Sequence, residues 1–311
     1  MTERLRLHGR SRGWFYAGCG MLVVSTDSFF VRWSRAEVWD LVFWVALISL
    51  VTYFVTGSRF VTGLRRESRE SRESRESREL MNPVRSWRRF PIPLTAIAVL
   101  STVSQVSYIT AVTRTTVSNV VVIVGASPVM VALVGRVFFS ERTTRRVWTA
   151  IVVTFAGMTV IVAGSVGEPN LDGDLLAVAA VLAFSVGVNV WRRWPEMSRI
   201  VGLSMAAVLS VVVASFFASP LTMEGRAYLA CLGMGLLNPL GRLLHTSAPR
   251  YAPAAEVALF TPVETVAASL WAWLAFSEVP EAGAVVGAVV IIGGVLYGTV
   301  TARTGPLTDP R

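Results

Sequence analysis

The stretch PVMVALVGRVFFSE (128–141) decides the fold, because a second stretch, PVETVAASLWAWLAFSE (262–278), repeats its ending. FFSE at 138–141 returns as AFSE at 275–278, and the same offset of 137 pairs Gly157 with Gly294, Ala111 with Ala248 and Asn119 with Glu256. Such self-similarity sets the architecture before any local signal does. Upstream the best offset is nearer 160, pairing Gly13 with Gly173. The two offsets differ by about 23 residues, which predicts an insertion in the first half where RRESRESRESRESREL runs from Arg65 to Leu80. One feature breaks the repeat: Pro128 stands 12 residues before its Ser-Glu and Pro262 stands 15 before its own. The two prolines are therefore expected to kink their helices at different depths.

Around these stretches the chain of 311 residues is 53% hydrophobic and only 16% charged, with a mean hydropathy of +0.56. A soluble protein carries about a quarter charged residues. Ten long apolar blocks occur, at 13–33, 38–58, 91–112, 115–138, 147–166, 173–191, 200–219, 227–246, 254–276 and 282–302. At about 20 residues each they match membrane crossings. Residues 1–12, with four arginines before an apolar stretch, have the outline of a secretory signal; no small-residue cleavage site follows, so a retained first helix is expected. The expected fold is an all-α integral membrane protein with ten transmembrane helices as two inverted five-helix repeats, 13–166 and 173–302. Residues 1–12 and 303–311 are its tails, and 59–90 is a loop carrying the Arg-Glu-Ser insert, read as a solvated linker. Five crossings per half is odd, so the halves enter the membrane in opposite directions, an arrangement common in secondary transporters.

All 29 basic residues are arginine. With no lysine, a P-loop cannot form, nor a Schiff base to retinal or pyridoxal phosphate. His8 and His245 are the only histidines, too few for a histidine-rich metal site, and Cys19 and Cys231 lie in apolar segments, where a thiol behaves as a small hydrophobe. Neither a metal nor another cofactor is expected. With the N-terminus inside, 25 arginines fall on cytoplasmic segments and four outside, the asymmetry that retains loops in the cytoplasm. This predicts a multi-pass plasma (inner) membrane protein with both termini cytoplasmic.

The Ser-Glu ending span four, the Gly-rich AGMTVIVAG of span five, the following GDLLA (173–177) and SEVPEAGAVVGAVVIIGGV (277–295) resemble the EamA-type branch of the drug/metabolite transporter superfamily. STDSFFVRW (25–33), WDLVFW (39–44) and PAAEVALFTPVET (253–265) are similar to one subgroup of that branch. The resemblance implies a carrier of small metabolites, often an exporter of amino acids or related compounds, working by alternating access. It names neither substrate nor coupling ion.

Ionisable side chains inside a membrane are by default functional candidates. Glu264, two residues after Pro262, can bind a substrate ammonium or carry a proton. Glu256 lies eight residues earlier, roughly 80° around the helix, where it can share a cavity with Glu264 or pair with Arg250. Asp27 is either a proton or cation site or an ion-pair partner of Arg32 and Arg35. Asn119 and Asn189 can line the same path or act as interhelical hydrogen bonds. Trp271, with Trp273 and Trp44, can wall a ligand or anchor at the boundary. Glu141 and Glu278 are expected at neighbouring helix N-termini. Gly125, Gly157, Gly287, Gly293 and Gly294 are expected to permit close helix packing. The expected partners are a small-molecule substrate and the lipid bilayer, with proton coupling open, no nucleic acid, and oligomeric state undetermined. The competing reading is a membrane scaffold without transport, in which neutralising all three acids leaves activity intact.

Overall fold

The computed structural model describes residues 2–67, 83–115, 117–162, 170–277 and 282–302. Among them the regular elements are all helical: α1 (Thr2–Val24), α2 (Thr26–Ser34), α3 (Val38–Glu67), α4 (Pro83–Arg89), α5 (Pro91–Arg114), α6 (Val117–Gly125), α7 (Ser127–Phe138), α8 (Arg145–Val162), α9 (Leu171–Arg193), α10 (Arg199–Ala214), α11 (Gly225–Ser247), a 3-10 turn (Ala248–Arg250), α12 (Ala254–Ala258), α13 (Thr261–Phe276) and α14 (Ala282–Ala302). Among the described residues eight helical segments are long and apolar enough to cross a membrane. Large apolar side chains such as Phe54, Phe138, Leu175 and Val289 are exposed, as an outside facing lipid requires. The protein is a multi-pass membrane protein.

Several boundaries differ from the sequence reading. The first helix begins at Thr2, inside the expected tail, and breaks at Ser25. The fourth apolar block, expected as one helix, is two, bent by 41°. Pro128 and Pro262 both sit in the first turn of the helices they open, α7 and α13. A proline there loses no helical hydrogen bond because its N–H would be unpaired anyway. Both prolines thus start the second halves of broken helices. The segment 200–219 is helical only over Arg199–Ala214, while α3 continues past the expected loop boundary to Glu67. The Arg-Glu-Ser insert beyond Glu67 lies outside the described residues.

The serines of the repeated Ser-Glu have a local physical role. Ser140 and Ser277 adopt φ of 55° and 57°, the left-handed conformation that ends helices. Two serines 137 residues apart therefore turn the chain in the same way. At the opposite kind of end, Asn170 caps α9 by accepting from the Gly173 N–H at 3.4 Å, and Asp172 and Asp174 in its first turn favour the helix dipole.

Glycines set the closest helix approaches. At the α8–α14 crossing, a Cβ on Gly157 would stand 2.9 Å from the Gly287 carbonyl oxygen, and one on Gly287 would stand 2.5 Å from that of Gly157. A Cβ on Gly20 would lie 2.7 Å from the His245 nitrogen of α11. Small residues let backbones meet where no hydrophobic force separates helix from lipid. Gly293 corrects the sequence reading: nothing lies within 4 Å of its Cβ position, so it serves no packing contact.

Candidate functional site

The first candidate cluster forms where α2, α3, α11 and α13 converge. Ser25 breaks the first helix, and Asp27 lies in the first turn of α2. There its Oδ2 accepts from the Asn238 amide of α11. Asn238 Oδ1 in turn accepts from Arg242 Nε at 2.8 Å, one helical turn along α11. Glu264, in the first turn of α13, lies within electrostatic reach of both Asp27 and Arg242. The buried ring of Tyr53 from α3 is within reach of Asp27 and Arg242, and Tyr108 from α5 is within reach of Glu264. Two acids and one guanidinium from three helices thus share one region. Asp27 Oδ1 is buried without a hydrogen-bond partner, a costly state for a carboxylate oxygen.

This arrangement corrects three sequence expectations. Asp27 bonds to Asn238 rather than pairing with Arg32 or Arg35; the Arg32 guanidinium lies 4.7 Å above the Phe276 ring. Glu256 does not share the cluster of Glu264. Only 2% exposed, its carboxylate is held by Arg10 through both Nε, at 3.0 Å, and Nη2, and by Trp14 Nε1 at 3.0 Å. Nor does it pair with Arg250, whose Nη2 donates to the Met197 carbonyl at 3.3 Å. The physical reason is the upward start of α1: a helix beginning at Thr2 brings Arg10 beside α12, where a sequence reading places a solvated tail.

The remaining candidates disperse. Asn119 is buried and donates to Thr115 Oγ1 at 3.4 Å, while Thr115 Oγ1 donates to Asp174 Oδ1 at 2.9 Å. Asn189 ties α9 to α7 through the Val131 carbonyl at 3.1 Å; the glycine at position 135 makes room for its Oδ1. Both asparagines thus hold helices through hydrogen bonds. Trp271 Nε1 donates to Ser25 Oγ at the α1–α2 break, at 2.9 Å, whereas Trp44 Nε1 donates to the Pro220 carbonyl at 2.8 Å. Glu141 accepts from the Ala254 N–H opening α12 at 3.3 Å and lies 3.4 Å from Arg192 Nε. Burial pushes the Glu141 carboxyl above the ordinary carboxylate range, with Arg192 and the Ala254 N–H opposing. Glu278 lies outside the described residues.

Sequence reasoning missed Arg242, Asn238, Arg10 and Trp14. Arg242 was absorbed into the cytoplasmic arginine count although it stands inside the apolar block 227–246, one helical turn after Asn238; a charge within a span was the available signal. Arg199, likewise counted as a loop charge, is 4% exposed. Its guanidinium donates to the carbonyls of Trp191, Trp194, Pro195, Met197 and Thr246 at 2.7 to 3.3 Å. It staples the C-terminal ends of α9 and α11, where cations are favoured. Among the described residues no group of three or more metal-ligating side chains forms a metal site.

A match to the EamA-like transporter family covers residues 11–163 and again 171–299. The chain belongs to the EamA-like transporter family. This EamA-like chain is 28% identical over 172 residues to the pseudopaline exporter CntI of Pseudomonas aeruginosa strain UCBPP-PA14, and 27% identical to that exporter from a second strain. The alignment covers 53% of this chain and 60% of the relative, so it spans less than two thirds of the curated exporters. A solved crystal structure of a protein superposes with a TM-score of 0.76 at 18% identity, over 95% of this chain and 99% of that one. At that identity the likeness concerns the fold.

Proposed function

We propose that this EamA-like protein is a secondary carrier, an exporter of small metabolites, that alternately exposes the Asp27–Glu264–Arg242 region to the two sides of the plasma membrane. The observation that carries the reading is the meeting of two acids and one arginine from three separate helices within a helical membrane protein. Charges cost several kcal/mol at such depth unless they serve a solute, an ion or each other. Family membership and the named function of the CntI relatives support transport and its outward direction.

Ten crossings as two inverted five-helix repeats is the layout we favour. The bent α6–α7 pair makes a ninth crossing and Arg199–Ala214, about 24 Å long, a tenth. Contacts that recur when the halves are exchanged support the inversion. Gly13 packs on Ala252 as Gly173 packs on Thr115, Gly157 meets Ile291 as Gly294 meets Thr154, and Gly20 lies on Gly241 as Ala180 accepts from Ser104. The arginine distribution supports cytoplasmic termini.

Glu264 is the residue through which a proton gradient drives the cycle in this reading. The test is solute movement in proteoliposomes with and without a pH gradient, comparing wild type with Glu264→Gln. Gradient-driven accumulation that disappears in the variant supports the coupling. A variant equal to wild type removes Glu264 from it and leaves an exchanger or facilitator, while a protein that moves no solute under any condition favours the scaffold.

A further inference from the structure

We infer that the crevice at the α6–α7 bend is a binding site for one acyl chain of a membrane phospholipid, seated between Ala126, Phe155 and Val178. This site is separate from the charged cluster. Residues of α6 to α9 line the crevice, whereas Asp27, Asn238, Arg242 and Glu264 stand on α2, α11 and α13.

The crevice follows from the break in the helix. Gly125, at the end of α6, meets α8 so closely that a Cβ there would stand 2.5 Å from Met158 Cγ. One residue later the chain turns at Ala126, and α7 leaves at 41° to α6. Such a bend opens a wedge between neighbouring helices, and Ala126 brings only a methyl group to fill it. The wedge holds about 250 Å³, and all of its lining residues are apolar, among them Ile123 of α6, Met130 of α7, Phe155 of α8 and Val178 of α9. Water finds no polar partner in such a place, and an apolar cavity of about 150 Å³ already stays dry and takes a benzene ring. Left empty, the wedge forfeits the dispersion contacts of the groups around it.

Exposure places its mouth. Phe155 lies three residues after Val152 and four before Thr159, and both of these are exposed; Val178 lies three after Leu175 and four before Leu182, and both are exposed. Residues at those spacings share a helix face, so the crevice opens between the lipid-facing sides of α8 and α9. Ala126 stands near the middle of the α6–α7 pair, which as one crossing sets the wedge at the depth where acyl chains end. The other half of the chain shows what fills the corresponding place. At the offset of 137 Phe260 corresponds to Ile123, and at the offset of 160 Gly18 corresponds to Val178. There Ala254–Phe276 is one apolar segment long enough to cross, and the Phe260 ring lies on Gly18, with two ring carbons 3.4 Å from its Cβ position. The protein closes that place with a ring of its own. At the α6–α7 bend the bilayer supplies the apolar group.

The test is photo-labelling of the full-length protein in vesicles of phosphatidylethanolamine and phosphatidylglycerol that carry a trace of phosphatidylcholine with a diazirine near the end of one acyl chain. Mass spectrometry of the digested protein reads the labelled residues. We expect labelling at Phe155 and Val178 to exceed that at Val289, an exposed residue near the middle of α14, and to be small when the diazirine sits beside the headgroup. Ala126→Phe fills the wedge and should lower labelling at Phe155 and Val178 roughly three- to tenfold through the contacts that the chain loses, with Val289 unchanged. Added phospholipid should also raise the melting temperature of the detergent-solubilised wild type more than that of the variant, because a ligand bound by the folded state stabilises it. Should Ala126→Phe fail to fold by size-exclusion chromatography, Val178→Phe, read at Phe155, serves in its place. Labelling at Phe155 and Val178 no higher than at Val289, or equal in wild type and a folded filled variant, overturns the inference. So does an unlabelled crevice with Val152→Cys disulfide-linked between two chains, which makes a second copy the occupant.

Discussion

Two contacts at opposite ends of the repeat share a backbone and differ in chemistry. In one, a Cβ on Gly13 of α1 would stand 2.8 Å from the Ala252 Cβ, and in the other a Cβ on Gly173 of α9 would stand 2.7 Å from the Thr115 Cβ. The neighbours correspond at the two sequence offsets: Arg10 with Asn170, Trp14 with Asp174, Glu256 with Asn119. Around Gly13 these residues build a buried ion pair, Arg10 to Glu256, reinforced by the Trp14 indole. Around Gly173 they build a chain of hydrogen bonds, Asn119 to Thr115 to Asp174, with the Asn170 N–H on the second Asp174 oxygen at 3.2 Å. The repeat dictates where helices touch, and the side chains dictate how firmly.

The sharpest way to break that comparison is to remove one side-chain partner from each contact, the acceptor Glu256 and the donor Asn119. Glu256→Ala removes the carboxylate that accepts from the Arg10 guanidinium and the Trp14 indole, and breaking a buried pair from one side costs about 3–5 kcal/mol. Asn119→Ala removes the long neutral hydrogen bond to Thr115, whose loss should cost about 1 kcal/mol. Equal losses in denaturant unfolding of the purified variants would mean that the charge difference has no energetic consequence.

Next in size are the glycines. Gly13→Ala and Gly173→Ala each force a methyl into a neighbouring chain, with the Ala252 nitrogen at 3.1 Å and the Thr115 nitrogen at 2.9 Å. Overpacking costs about 1–3 kcal/mol, and here the two contacts should respond alike, because what they share is backbone. Gly293→Ala, with open space around it, is the matched control and should be neutral or slightly stabilising through helix propensity.

A smaller effect comes from Glu141, which caps the helix carrying Glu256. Its carboxyl is raised above the ordinary value of 4.5 by burial. A raised acid stabilises the fold fully below its unfolded value, and that contribution is lost as pH rises through the folded value. Melting temperatures of wild type relative to Glu141→Gln should therefore decline as pH is raised from 4 towards neutrality. A difference that instead grows with pH would show that the Arg192 pair outweighs burial.

The smallest change is expected at Arg89 and Glu196, a pair 3.0 Å apart with side chains 47% and 66% exposed. Glu196→Ala should alter stability by less than about 1 kcal/mol, and less still at high salt. A loss as large as that of Glu256→Ala would remove burial as the reason for the strength of the Arg10 contact.

Much of the fold was legible because it follows from local chemistry. Apolar blocks of about 20 residues announce membrane helices, and the Ser-Glu pairs marked helix ends that both turn through left-handed serines. Pro128 and Pro262 pointed to breaks, but not to their being the openings of new helices. Of the candidate site, Glu264 and Asp27 were legible as ionisable groups in apolar blocks. Their companions Asn238 and Arg242 were not, since an arginine near the end of a span satisfies the charge asymmetry as well as it serves a site. Glu256 was assigned to the wrong company for a related reason: its partner lies 246 residues away in sequence, and no periodicity reports such a pairing.

The sequence by itself determined that this chain is a helical membrane protein of the EamA type, because lipid demands apolar, internally hydrogen-bonded segments and leaves that demand written in composition. Only the tertiary structure decided which charges meet. It joins Asp27 to Arg242 through Asn238, brings Glu264 within electrostatic reach of both, and seals Glu256 against Arg10. Those partnerships depend on helix level and rotation, which are set by glycine contacts between segments far apart in the chain.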